Sequence, residues 1–172
     1  MAAVDRHLAG PAHLRLLGGA ALHLGYGAHR VTEDADLLME DAELQALIET
    51  ANLGVALELA NADLEPEGLY LTHIWGPEHQ ILTPEWRTNC RDVVGEWERL
   101  SVSVLGPVDL ILSKMCRADE GDLADIDHIL TVEGIGVETL EAGFARAVVP
   151  EAFTETFARA RGQVLTVLRR GH

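Results

Sequence analysis

Two short stretches carry residue types and spacings with chemical meaning, and the first is Leu17-Gly18-Gly19-Ala20-Ala21 followed by Arg30-Val31-Thr32-Glu33-Asp34-Ala35-Asp36-Leu37. Adjacent glycines after an apolar run let the chain turn sharply and let a phosphate approach main-chain N–H groups closely. A helix starting near Ala20 and running to Tyr26 would aim unpaired N–H groups and the positive end of its dipole at that anion. The second half follows the period of a strand, in which alternate side chains share a face. On that reading Arg30, Thr32, Asp34 and Asp36 project one way, and Val31, Ala35 and Leu37 the other. Carboxylates two residues apart on one strand face can share a hard cation, and Mg²⁺ takes one or two carboxylates and completes its octahedron with substrate phosphates and water. A phosphate cradle beside a carboxylate pair implies nucleotide chemistry.

The second stretch begins at Gly106-Pro107, where proline suits the first position of a helix. Leu110, Ser113, Lys114 and Arg117 then recur three or four residues apart along one side. A break is expected at Gly121, after which Leu123, Ile126 and Leu130 can pack inward while Asp122 and Asp125 share an edge. Read alone, this is an αα-hairpin carrying surface ion pairs worth ~0–1 kcal/mol each.

Taken together, these residues resemble the nucleotidyltransferase superfamily of DNA polymerase beta-like folds, whose signature is an apolar residue, Gly-Gly or Gly-Ser, a spacer, then Asp-x-Asp. Gly18, Gly19, Asp34 and Asp36 fall on that signature, with a spacer, Ala20 to Glu33, slightly longer than usual. Gly-Gly-x-Ala followed by Arg-x-Thr-x-Asp-x-Asp is similar to small bacterial relatives of the toxin subunit of type IV abortive-infection toxin–antitoxin systems, which adds Arg30 and Thr32. Those relatives also carry Pro, an apolar helix with Lys and Arg, then Lys-Asp-x-x-Asp. Lys114, Arg117, Asp122 and Asp125 match, while Gly121 stands where a lysine is usual.

The resemblance implies Mg²⁺ on Asp34 and Asp36, a triphosphate cradled by Gly18 and Gly19, and nucleotide contacts from Arg30, Thr32 and Arg117. Lys114 would meet the phosphates as a compact charge, with Asp122 and Asp125 either orienting it or completing the catalytic set. It also implies an RNA or protein acceptor, a toxin-like setting with a cognate antitoxin or other protein partner, and an arginine on substrate from Trp86-Arg87 or Arg91. The superfamily usually supplies a third carboxylate from a neighbouring strand. Glu58, Glu96 and Glu98 are the candidates here, and Glu98 falls on the apolar side of its strand. A catalytically degenerate module that binds nucleotide or a partner protein is the alternative.

The elements that would position these groups can be read in turn. Val4 to Leu16 reads as a helix interrupted at Pro11, and Asp41 caps a helix to about Asn52 that Gly54 ends. Val55 to Leu71 is ambiguous: Val55 to Ala60 fits strand or helix, and Asn61-Ala62-Asp63 followed by Glu65-Pro66-Glu67-Gly68 signals a loop. Leu69 to Trp75 and Trp97 to Leu105 read as strands, the latter with Leu100, Val102 and Val104 opposite Ser101 and Ser103. His73 and His79 straddle the Gly76-Pro77 turn, where a metal pair competes with hydrogen-bonded histidines. A further helix is expected from near Thr139, and an amphipathic one over Arg159 to Arg170.

Composition limits the functional classes. The 172 residues suffice for one sizeable core, and 48% hydrophobic against 24% charged residues marks a globular chain. A formal charge of −15 argues against broad, sequence-independent nucleic-acid binding, though not against a local Lys and Arg cluster. Cys90 and Cys116 show no zinc or disulfide spacing. No apolar run approaches the ~18 residues of a membrane span, and no leader-like segment opens the chain, so no membrane partner and a cytoplasmic location are expected. The expected fold is α/β (α+β), nucleotidyltransferase-like: a short mixed sheet flanked by helices over residues 1–106, with a helical C-terminal portion over residues 107–172 packed on it.

Overall fold

The computed structural model describes residues 1–29 and 32–171. Its first departure from expectation is at Val4 to Leu16, which is not one helix. Helix α1 covers only Ala2–His7, and strand β1 runs Ala12–Leu17. Apolar residues at 8, 12 and 16 suit a helix, but Ala12, Leu14 and Leu16 are all buried while His13 and Arg15 between them are half-buried, which is the period of two of a strand. Gly10-Pro11 separates the two elements, and a Cβ on Gly10 would meet the Thr50 carbonyl at 2.6 Å.

Helix α2 (Gly18–Tyr26) follows β1 directly and ends at left-handed Gly27. Strand β2 is Asp34–Leu38, so the strand starts at Asp34 and Thr32 stands in the turn before it. Helix α3 (Asp41–Ala51) stops at Asn52, not at Gly54, because Asn52 itself adopts the left-handed conformation (φ 54°) that turns the chain. Helix α4 (Leu53–Leu64) begins at once, with Leu53, Ala56 and Ala60 as its buried stripe, and it carries Asn61 to Asp63, expected in a loop, within the helix, where the Asn61 side chain bonds to Leu71. Strand β3 is Tyr70–Trp75, β4 is Arg91–Val93 and β5 is Leu100–Val104. The sheet order is β3-β2-β1-β5-β4, with β1 antiparallel to β2 and parallel to β5, β2 parallel to β3, and β4 antiparallel to β5. This mixed sheet with flanking helices is the expected α/β class.

The remaining chain is helical: α5 (Pro107–Lys114), α6 (Glu120–Glu133), α7 (Val137–Arg146) and α8 (Thr154–Gly171). Gly121 is not a break, since it lies in the first turn of α6. The chain turns earlier, over Met115 to Asp119, with Ala118 at φ 54° and the Asp119 carboxylate capping the helix by accepting from the Asp122 N–H at 2.8 Å. α7 starts two residues before Thr139, after Gly136.

One continuous core joins Leu14, Leu16, Leu37 and Val104 of the sheet to Leu110, Ile111, Ile126, Ile129 and Leu140 of the later helices. Two side chains tie the sheet's margins. Asp5 of α1 accepts N–H bonds from Glu98, Arg99 and Leu100 at 3.1, 2.8 and 2.8 Å, fixing the start of β5. Asn61 of α4 both donates to the Leu71 carbonyl (3.0 Å) and accepts from the Leu71 N–H (2.7 Å), closing part of the β3 edge. Among the described residues no helix is long and apolar enough to cross a membrane.

Candidate functional site

Antiparallel pairing of β1 with β2 sets Leu17 opposite Asp36, so the turn that leaves β1 passes directly over that carboxylate. Gly18 turns there with φ +68°, a conformation L side chains avoid, and a Cβ on it would stand 2.9 Å from Asp36 Oδ2. A Cβ on Gly19 would stand 2.7 Å from Thr32 Oγ1. Thr32 in turn donates to the Asp34 carbonyl at 3.0 Å, shaping the entry to β2. Close approach therefore calls for glycine at both positions, and turn geometry calls for it at Gly18 as well. No side chain caps α2, and its first turn holds no acidic residue, so its leading N–H groups lack intrahelical partners. Asp34 is exposed and Asp36 half-buried.

Across from this corner, α5 ends on Lys114 and α6 brings Asp122 and Asp125 against it. Lys114 Nζ lies 2.6 Å from Asp125 Oδ2 and 3.6 Å from Asp122 Oδ1, with all three side chains under 10% exposed. Arg117, itself exposed, donates to Asp122 through Nε (2.8 Å) and Nη2 (2.9 Å) and also reaches Asp119. Of the two expectations for Asp122 and Asp125, the geometry corresponds to their holding the lysine. Buried cations of this kind persist only when paired and hydrogen-bonded.

Both corners open on one cleft of about 560 Å³ lined by Leu17, Gly18, Gly19, Thr32, Asp34, Asp36, Lys114, Arg117, Asp122 and Asp125. Arg30 lies outside the described residues. Sequence reasoning missed several other lining residues, namely Glu33, Trp75, Gln80, Cys116 and Phe153. Trp75 carried a usable signal, an aromatic ending a strand before Gly76-Pro77, whereas nothing local marks Gln80. Burial raises the Cys116 thiol to about 11, so it is a packed thiol and not a nucleophile. Both cysteines are free.

The described lining holds five carboxylates, of Glu33, Asp34, Asp36, Asp122 and Asp125, against the two cations of Lys114 and Arg117. Two oxygen-donor carboxylates on adjacent outward positions of β2 fit a hard divalent cation that shares its shell with phosphate and water. Among the described residues, however, no group of three or more His, Cys, Asp and Glu side chains is gathered for a metal ion. Glu58 is exposed on α4, and Glu96 and Glu98 lie in the loop before β5, beside the start of β1 and away from the turn that follows its end. On β5 itself, Ser101 and Ser103 are taken by His13, at 3.0 and 2.9 Å. His73 lies 3.4 Å from Asp36, and His79 pairs with Glu78, so the two histidines have separate partners.

Neither arginine expected on substrate lines the cleft. Arg87 pairs with Glu40 at 2.8 Å and stacks on Trp86, whose ring also lies under Arg15. Arg91 makes a two-point pair with Glu133 at 2.7 and 2.6 Å and covers Tyr26.

A mixed sheet whose first strand hands over to a helix through Gly-Gly, with an Asp-x-Asp strand alongside, defines a nucleotidyltransferase-like protein. The chain belongs to the family described as Nucleotidyltransferase of unknown function (DUF6036), whose model matches residues 4–160 and so spans both the glycine turn and the Lys114 cluster. No curated protein and no solved structure matches it.

Proposed function

We propose that this protein transfers a nucleoside monophosphate from an NTP to a hydroxyl or phosphate acceptor, with Asp34 and Asp36 holding Mg²⁺. The observation that supports the reading is the close approach of the Gly18 turn to Asp36, which brings the uncapped start of α2 beside a carboxylate pair. Gly18 and Gly19 receive the phosphates, with Thr32, Arg30 and Arg117 as further nucleotide contacts. Lys114, held in place by Asp125 and Asp122, offsets charge that develops on the transferred group. When bound, Mg²⁺ would supply Lewis-acid polarisation of the phosphoryl oxygens and neutralise the acidic lining. The resemblance to small bacterial relatives of type IV toxins supports an RNA or protein acceptor and a cytoplasmic toxin-like setting with a cognate antitoxin. The formal charge of −15 favours an acceptor gripped locally over one bound along a broad surface.

One observation favours a second reading, a catalytically degenerate module: no third carboxylate joins Asp34 and Asp36 among the described residues. The two readings separate on incubation of the chain with each labelled NTP, Mg²⁺, and total tRNA or lysate. Labelled product that disappears in Asp36→Ala supports transfer. Mg²⁺-dependent NTP binding without product supports the module. Neither product nor binding overturns both.

A further inference from the structure

The cleft extends beyond the phosphate corner along one face of the sheet, and its far side is built differently. His73 and Trp75, two residues apart on β3, project to the same face as Asp36. His73 Nδ1 lies 3.4 Å from Asp36 Oδ1, and the imidazole stacks on the Trp75 indole with ring centroids 5.4 Å apart and planes 28° apart. The row from the carboxylate pair is thus carboxylate, imidazole, indole. Trp75 is half-buried and lines the cleft together with Gln80.

Gln80 is the less ordinary of the two. It is 8% exposed, its backbone is fixed by an N–H bond to the Pro77 carbonyl, and its Oε1 faces the Cys116 thiol at 3.9 Å. Its amide nitrogen has no protein partner among the described residues. Gln80 lines the cleft, so that nitrogen is available to donate to a group bound there.

We infer that Trp75 and Gln80 form the nucleobase subsite of this cleft, Trp75 as the stacking platform and the Gln80 amide as a donor to a keto oxygen of the base. The inference rests on the proposed transfer site. The order of groups on the sheet face follows the order within a nucleotide. With phosphates at Asp36 and the glycine turn, a base would reach Trp75 and Gln80 on the same cleft wall. Stacking on an indole tolerates any base, because every base has a π face. The amide adds selectivity. Guanine, uracil and cytosine carry an exocyclic keto oxygen that can accept from it, and adenine does not.

Calorimetric titration of the full chain with Mg²⁺ and the non-transferable α,β-imido analogues of the four NTPs, against ribose 5-triphosphate and inorganic tripolyphosphate, tests this. The keto-base analogues are expected to bind roughly tenfold or more tighter than ribose 5-triphosphate, the scale of one base stacked on an aromatic ring. Trp75→Leu should abolish that advantage while leaving ribose 5-triphosphate affinity unchanged, and Trp75→Phe should restore most of it. Gln80→Leu should erase the preference over the adenine analogue and little else. Equal affinity for base-bearing and base-free triphosphates, or an advantage that survives Trp75→Leu, overturns the subsite while leaving the transfer site standing. An adenine analogue bound as tightly as the others, or a preference untouched by Gln80→Leu, overturns the role of the amide. Failure of every triphosphate to bind overturns the transfer site and the subsite with it.

Discussion

Gly18 and Asp36 are packed so that the space of a single methyl group separates a working corner from a blocked one. A Cβ at Gly18 would sit 2.9 Å from Asp36 Oδ2 on a backbone already at φ +68°. Gly18→Ala should therefore act twice. Left-handed backbone costs a non-glycine residue about 1–2 kcal/mol, which lowers the melting temperature by a few degrees in a chain of this size. Displacement of the Asp36 carboxylate should abolish Mg²⁺-dependent nucleotide binding far more completely than that modest loss explains. Thermal melts and calorimetry on one sample separate the two. Gly27→Ala, where φ is +66° but nothing lies within 4 Å of the added carbon, supplies the comparison with strain alone.

Lys114 is buried between two carboxylates, and its removal is expected to be costly. Lys114→Met takes the 2.6 Å partner from Asp125, while Asp122 keeps Arg117. Breaking a buried pair from one side costs about 3–5 kcal/mol, and urea denaturation should place this variant near the lower end. In the Lys114→Met, Asp125→Leu double variant the combined loss should fall short of the sum of the single losses by about 0.5 kcal/mol or more, since both changes break the same contact. Strict additivity of the two changes would show that the ion pair contributes nothing.

His13 gives the fold a pH dependence. Burial holds its imidazole below the ordinary value near 6.5, and Arg15 adds to this against the opposing pull of Asp92 and Glu43. The folded state thus binds the proton less tightly than the unfolded chain. The stabilisation is complete above pH 6.5, and it is lost progressively as pH falls from 6.5 toward the lower folded value, where the slope ends. Denaturation midpoints measured across this window should fall with pH in the native protein and flatten in His13→Gln. Titration of the His13 ring by NMR should show its midpoint below 6.5.

Asn61 occupies both backbone groups of Leu71 on an edge strand. Asn61→Leu removes two hydrogen bonds worth about 1 kcal/mol each, and it uncovers the strand margin for pairing with another chain. The expected outcomes are a loss of about 2 kcal/mol in denaturation and concentration-dependent association by sedimentation velocity. A variant that stays monomeric at all concentrations would show that other features protect this edge.

What could be read from the residues and what could not divides along physical lines. The glycine turn was legible because only glycine tolerates that backbone and that contact, so identity and geometry are coupled at one position. Helix α5 was legible from Pro107 and its apolar spacing, whereas charge spacing reads as surface ion pairs, and the burial of Lys114 with Asp122 and Asp125 arises only where the packed helices close over them. Strand β1 was not, because apolar residues four apart satisfy a helix and a strand alike, and only the parallel partner β5 decides between them. Gly54 and Gly121 misled because each sits in the first turn of a helix whose true boundary is set elsewhere, by left-handed Asn52 and by the capping Asp119. Gln80 left no trace in sequence, since its surroundings come from Cys116 and the cleft wall, which only the tertiary fold assembles.

The pairing of β1 with β5 has a consequence for how the protein is made. His13 and Ser101, neighbours in the folded sheet, are 88 residues apart in the chain. On the ribosome the Gly18-Gly19 turn and the Asp34–Asp36 strand emerge before β5, so β1 lacks its parallel neighbour until Val104 has emerged, and the lysine cluster follows only with Asp125. Long-range parallel pairing forms late, after the intervening loop has closed. Each nascent chain therefore carries the glycine and Asp34–Asp36 half of its cleft before the Lys114–Asp125 half exists, so a product truncated between the two has the motif but not the site.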